Sequence, residues 1–231
     1  MGVPEILFED KEILVVYKPA GMAVQTKKLG QQDMESWLKN YRAGKKENPY
    51  IGLVHRLDQP VEGIMLFAKT PQAAAKLSSQ VQSREIGKHY YAIGSPKEGT
   101  LQQEASSGIA MEGTLTDYLT FDPRRNLGRV TSSGDPQAKK AVLDYKVIGR
   151  YGQDICFDIS LHTGRHHQIR LQLMQLGYPL AGDGKYGGRA AGQIALCSYQ
   201  LTFTHPATGK KMHFSVKPKN PAFAVFLKEK A

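Results

Sequence analysis

The chain has 231 residues, 41% of them hydrophobic and 23% charged, and its 31 Lys and Arg against 21 Asp and Glu give a formal net charge of +10. This composition excludes a disordered chain, and the length suffices to bury a core without disulfide or metal staples. No apolar run reaches the ~20 residues of a membrane span, and the first thirty residues lack a signal-peptide pattern.

Two cysteines, Cys156 and Cys197, fit a reducing cytoplasm better than a disulfide framework. Residues 1–100 carry 14 basic and 11 acidic side chains and residues 101–231 carry 17 and 10, so the positive excess concentrates in the second part. Such an excess suits a polyanionic partner, because neutralising phosphates releases counterions; it equally suits a plain solvated surface.

In chain order, Ile6 to Tyr17 reads as two short strands around a turn at Glu9 to Glu12, closed by Lys18-Pro-Ala-Gly21. From Asp33, apolar Met34, Trp37, Leu38 and Tyr41 at i, i+3, i+4, i+7 predict an amphipathic helix ending at Gly44. Ile64–Ala68 is a compact apolar run and predicts a buried strand. Thr70-Pro71 is a hydroxyl cap followed by a first-turn proline, which predicts a helix to about Ser83.

Strands are expected at Lys88–Ile93, within residues 101–159 (Lys139–Ile148 being the clearest), and at Ile155–Leu161. His166–Leu176 reads as a helix stopped by Gly177 and Pro179. A strand near Leu196–His205, the turn Pro206-Ala-Thr-Gly209 and a strand Lys211–Val216 complete the pattern. Arg124 to Lys140 is expected to be the most flexible loop. Its Arg124, Arg125, Lys139 and Lys140 suggest a nucleic-acid-facing surface, or an ordinary solvated hairpin loop. The expectation is one α+β domain over residues 1–231, with a mixed, largely antiparallel central sheet flanked by helices and loops.

Several chemistries are thinned by their missing motifs. No Walker A, dinucleotide fingerprint or G-x-S-x-G segment occurs. His162, His166 and His167 invite a metal reading, but a helix starting near His166 leaves His162 behind, and no thiolate or carboxylate stands nearby in sequence. No metal is expected.

Two segments concentrate polar chemistry. His55-Arg-Leu-Asp58, with Gln59 to Gly63 following, feeds the Ile64–Ala68 strand and presents a guanidinium and a carboxylate together; a loop salt bridge is the plainer alternative. A glycosidase-like pairing of Asp58 with Glu62 is weakened by the turn residues Pro60 and Gly63. In Leu161 to Arg170, the Thr163-Gly164 turn offers backbone amides for an anion, with Arg165 and Arg170 following at the start of a helix. Arg170 lies between Ile169 and Leu171, a setting that calls for a carboxylate partner, for which Asp58 is one choice.

These segments resemble the RluA-type family of RNA pseudouridine synthases. Tyr17-Lys-Pro-Ala-Gly-Met-Ala-Val24 is similar to the family's early Lys-Pro-x-Gly segment, and His55-Arg-Leu-Asp58 with Gly63 and Ala68-Lys69 to its aspartate motif. Lys88-x-Tyr90-x-Ala92 is similar to its tyrosine motif. Thr163-Gly-Arg-x-His-Gln-Ile-Arg170, followed by Gly177-x-Pro179, Gly182-Asp183 and Tyr186-Gly187, resembles its arginine motif and the sequel. Phe203-x-His205-Pro-x-Thr-Gly209 resembles the closing hairpin. The motifs run in the family's order over about residues 6 to 218. The chain departs from the family's pattern at Gln59, Val61-Glu62 and Leu196-Cys-Ser198, without loss of the aspartate, tyrosine or arginine.

The resemblance implies a pseudouridine synthase catalytic domain with no appended S4-type domain and no cofactor. The substrate would be a uridine in structured RNA, ribosomal or transfer, with no membrane or obligate protein partner, and the protein a cytoplasmic monomer. It implies Asp58, Tyr90 and Arg170 as catalytic residues. His55, Arg56, Arg165, His167 and Ile169 would bind substrate, Arg56 filling the space left by a flipped nucleotide. Asp58 would attack C1′ or take a proton from the sugar, and Tyr90 would stack on uracil and assist loss of the C5 proton. A catalytically silent RNA-binding scaffold and a nucleoside glycosidase acting on small molecules are the other readings.

Overall fold

The computed structural model describes residues 2–28, 30–96, 109–189 and 192–227, and none of its helices is long and apolar enough to cross a membrane. The chain gathers into two compact units, Met1–Lys88 with Ser198–Lys217, and His89–Cys197 with Pro218–Ala231. The helices and strands match the expected α+β class. Every strand pair whose register is described is antiparallel.

In the first unit, β1 (Glu5–Glu9), β2 (Ile13–Lys18), β4 (Glu62–Ala68) and β10 (Leu196–Thr204) lie in that order, with β3 (Gly52–Leu53) on β4 and β11 (Lys211–Ser215) on β10. Both β2 and β4 are buried throughout, which is why each reads as an unbroken apolar run rather than an alternating one. Helix α1 (Met34–Gly44) starts where the sequence places it. Asp33 accepts from the Ser36 amide, and the Ser36 side chain returns to the Asp33 amide, a reciprocal capping box.

The buried face of α1 is Met34, Leu38 and Arg42, rather than the stripe through Trp37 and Tyr41, whose rings stack on each other 5.7 Å apart. Helix α2 (Pro71–Gln82) has the predicted Thr70 cap and first-turn proline. Its Ala73 and Leu77 close a core with Ile13, Val15, Ile64 and Leu66.

In the second unit the order is β5 (Gly87–Gly94, from His89), β9 (Asp154–Leu161), β8 (Lys139–Tyr151), β6 (Glu112–Asp122), β7 (Leu127–Thr131). Strand β7 corrects the expectation of a flexible loop over Arg124–Lys140. The Asp122 carboxylate accepts the amides of Arg124 and Arg125, and Asn126 takes a left-handed φ of 50°, so residues 122–126 make a tight hairpin rather than a loose loop. The chain then pairs Leu119 with Val130 and turns again at Ser132–Ala138 before β8.

Helix α3 (Gln168–Gln175) starts two residues later than predicted, because His167 adopts a left-handed conformation, φ 54° and ψ 24°. Leu171 packs with Leu119, Ala141 and Tyr186 beneath it. Residues 101–108, part of the stretch expected to hold strands and loops, lie outside the described residues.

Candidate functional site

In the first unit the Asp58 segment is tied down from several directions. The Asp58 carbonyl accepts the Val61 amide at 3.0 Å, closing the turn into β4, while the side chain is half-buried. Gly63 sits at φ 129°, where an added Cβ would stand 2.3 Å from the Ser198 carbonyl oxygen, so β4 can start there only with glycine. Gln59 exchanges two bonds with Gly21, one backbone to backbone at 2.9 Å and one from its side chain at 3.0 Å.

Lys18 completes the tie. It is fully buried, and its Nζ donates to the carbonyls of Pro19 (3.0 Å), Met22 (2.8 Å) and Gln59 (3.1 Å), lashing the Lys18–Met22 turn to the Asp58–Gln59 turn. Burial pushes Lys18 down to about 7, and the charges of Asp58 and Glu62 push back. Glu62 is itself buried and accepts the Tyr17 hydroxyl at 2.7 Å. It thus serves the strand's polar anchoring, in keeping with the weak case for a carboxylate pair.

With an unfolded value near 10.5 and a folded one near 7, the unfolded chain holds this proton throughout the window between them while the folded chain has released it. Stability therefore rises with pH across that window. Between pH 7 and pH 9, Lys18→Met is expected to reduce the gain in unfolding free energy by roughly 2 kcal/mol. Urea unfolding at the two pH values measures this, and equal slopes for the two proteins would refute it.

Of the other residues in this segment, Arg56 is exposed and donates to the Gln25 side chain at 2.7 Å. His55 Nε2 accepts the Leu66 amide at 3.1 Å, so the ring proton sits on Nδ1. Burial, with the Lys88 charge adding to it, pushes His55 down to about 3 and keeps it neutral.

In the second unit, Tyr90 is buried on β5 opposite Ile159, whereas Tyr91 lies on the other face against Phe223, with ring centroids 6.5 Å apart. Arg170, on α3, is 4% exposed and meets Asp183 in a two-pronged pair: Nε to Oδ2 at 2.7 Å and Nη2 to Oδ1 at 2.8 Å. Its guanidinium carbon also lies 4.9 Å from the Tyr186 ring centroid. Asp183, within this unit, thus supplies a carboxylate of the kind that an arginine between Ile169 and Leu171 demands. The Gly182-Asp183 segment carried that signal without revealing the pairing.

Ile169 is buried, and so is His167, whose Nδ1 lies 2.6 Å from the Tyr186 hydroxyl. That hydroxyl accepts the Gly128 amide at 2.8 Å, and by giving its proton to His167 Nδ1 it satisfies all three groups. Tyr186 thereby ties the β7 hairpin to the left-handed residue that opens α3.

The Thr163-Gly164 turn does not offer the array of amides expected for an anion. Thr163's amide goes to the Val142 carbonyl and Arg165's to the Gln168 side chain. What faces outward is side-chain charge. Arg165 is exposed, with its Nε on the Lys140 carbonyl at 3.0 Å, and Arg124, Arg125, Lys139 and Lys140 are exposed along the hairpin and the start of β8. His162 pairs with Asp144 at 2.6 Å.

The chain's residues 12–175 match the family model for RNA pseudouridylate synthase. It is 34% identical over 229 residues to ribosomal large subunit pseudouridine synthase D of Pseudomonas aeruginosa, covering 90% of this chain and 66% of that protein. It is 32% identical over 231 residues to the protein of that name from Vibrio cholerae, covering 90% and 65%. Against the uncharacterized RNA pseudouridine synthase YhcT of Bacillus subtilis it is 33% identical over 212 residues, covering 90% and 66%. The chain thus spans slightly less than two thirds of the length of these relatives.

Among solved structures it is similar to human RNA pseudouridylate synthase domain containing 4, with TM-score 0.70 and 23% identity over 93% of this chain and 88% of the other. For human RNA pseudouridylate synthase domain containing 1 the TM-score is 0.72 and the identity 19%, over 97% and 86%. At those identities the likeness shows the fold.

Proposed function

Because the chain belongs to the RNA pseudouridylate synthase family, we propose that it isomerises uridine to pseudouridine in large-subunit ribosomal RNA, without a cofactor, with residues 1–231 acting as one catalytic module. The observation that carries this reading is the family match over residues 12–175, which contains Asp58, Tyr90 and Arg170 in their motifs. The naming of several relatives for the large ribosomal subunit favours ribosomal over transfer RNA.

The reaction breaks the N1–C1′ bond, turns the uracil and joins C5 to C1′; C5 gives up its proton and N1 gains one, so atoms balance without oxidant or reductant. Positive character develops at the ribose as the first bond breaks, and a carboxylate answers it, as in glycosidases. Asp58 fills that role, either by attacking C1′ or by taking a sugar proton, and both routes need it ionised. Tyr90 offers an aromatic face to the uracil and a hydroxyl for the C5 proton. Arg170, fixed by Asp183, supplies a positioned positive charge.

Arg56 takes the place of the extruded nucleotide. His55, Arg165, His167 and Ile169 complete the substrate-binding set, and Arg124, Arg125, Lys139 and Lys140 supply electrostatic attraction for the phosphate backbone. The protein acts alone, as a soluble cytoplasmic monomer.

Incubating the purified protein with an unmodified large-subunit rRNA transcript, then mapping pseudouridine by mass spectrometry, is expected to reveal product at discrete positions. Product on transfer RNA transcripts alone would overturn the substrate assignment, and none on any RNA would overturn the activity.

A further inference from the structure

The second unit carries an aromatic cluster whose outermost member the reaction leaves without a role. His166 lies on Phe121, with ring centroids 3.8 Å apart and planes tilted by 43°. His167 stands beside it at 4.2 Å and meets Phe121 edge-on at 5.9 Å. Behind them the ring of Tyr186 lies 5.5 Å from His167. His167, Tyr186 and Arg170 are fixed by buried hydrogen bonds and the Arg170–Asp183 pair, whereas His166 is exposed at the open end.

The backbone is bent to produce this arrangement. His167 holds a left-handed φ of 54°, a conformation that costs a non-glycine residue energy and that its bond to Tyr186 offsets. The turn delivers one imidazole inward and leaves the next one outward on a phenyl ring. Cations of its own unit stand near it: Arg165 precedes it, and Lys185 is anchored on the Asn126 carbonyl at 2.7 Å beside the Asn126 side chain, which His166 reaches at 3.4 Å. A flat ring, backed by another ring and set among cations, suits the face of an unpaired nucleobase, with neighbouring cations available to its phosphates.

We propose that His166, backed by Phe121, is a stacking platform for a nucleobase of the substrate RNA other than the uridine being isomerised, and that it helps set which sequence context is accepted. This deepens the RNA-isomerase reading and rests on it.

The test uses the full chain and an RNA hairpin whose loop uridine is flanked on both sides by 2-aminopurine, together with the large-subunit rRNA transcript for turnover. His166→Ala is expected to weaken hairpin binding about tenfold. It should lose the 2-aminopurine quenching seen on binding and raise KM for the transcript more than it lowers kcat. His166→Phe should bind within about threefold of the unsubstituted protein and keep the quenching, because a ring and not a charge is needed. Unchanged salt dependence in both variants would support stacking.

Equal affinity and equal quenching for His166→Ala and the unsubstituted protein would overturn the platform. So would a His166→Phe variant as weak as His166→Ala with a shallower salt slope, which would mark a phosphate contact instead. If the unsubstituted protein forms no pseudouridine, the functional reading fails separately, because the hairpin measurements do not depend on turnover.

Discussion

Asp58→Asn is expected to lower pseudouridine formation by roughly 10⁴-fold or more, the scale on which removing a single indispensable catalytic group acts. RNA affinity should stay within a few-fold of the unsubstituted protein. The prediction separates chemistry from scaffold because the turn is held by groups other than the carboxylate. The turn is closed by the Asp58 backbone carbonyl on Val61, by Gln59 on Gly21 and by Lys18 on three carbonyls. Asparagine keeps the volume and every one of those bonds, and it removes the charge proposed to answer the developing positive ribose. Asp58→Ala should behave alike, and it excludes activity regained by deamidation of the asparagine. Measurable product from freshly purified Asp58→Ala would sink the assigned role. If neither variant changed RNA affinity and the unsubstituted protein were inactive as well, the chain would be a binding scaffold. A glycosidase acting on nucleosides would instead cleave free uridine, with little dependence on salt.

How far the sequence could be read depends on the kind of interaction at each place. Local signals were legible: the apolar spacing that follows Asp33, and Thr70 with Pro71, mark the starts of α1 and α2 within a few residues of chain. The apolar runs at Ile13–Tyr17 and Ile64–Ala68 announced strands, the second of them a buried one, because burial on both faces leaves no alternation to misread. The hairpin holding β7 was hidden by its charges. Arg124, Arg125, Arg129, Lys139 and Lys140 read as solvated loop, whereas the structure spends Asp122 and a left-handed Asn126 on a turn and pairs the flanking residues.

The site shows the same division. The motif residues stand out by type and order, but the groups that hold them are distant in sequence. Lys18 reaches Gln59 across 41 positions, Tyr186 reaches Gly128 across 58, and neither bond leaves a periodicity to detect. The late start of α3 is a case of tertiary bonding overriding propensity: Tyr186 bonds His167 in a left-handed conformation that few non-glycine residues adopt.

Arg170→Ala tests the second catalytic assignment, and its interpretation turns on the Asp183 pair. Removing the guanidinium leaves a carboxylate that is 1% exposed without its two short bonds, which is expected to cost about 3–5 kcal/mol of stability. In a chain of this size that corresponds to a fall in Tm of roughly 10 °C. Turnover will collapse as well, but from this variant alone a loss of structure and a loss of chemistry look the same. Arg170→Lys does not resolve them, because an ammonium cannot reproduce the two-pronged geometry. The informative variant is Arg170→Met combined with Asp183→Asn. It removes both charges, and its asparagine oxygen can still accept the Lys185 amide that Asp183 accepts at 3.2 Å. The double variant is expected to recover much of the lost stability by thermal unfolding and none of the lost pseudouridine formation, because the positioned charge is needed and not merely a filled core. If activity returned with stability, Arg170 would be a structural partner of Asp183, and the positive charge the reaction calls for would have to come from another residue.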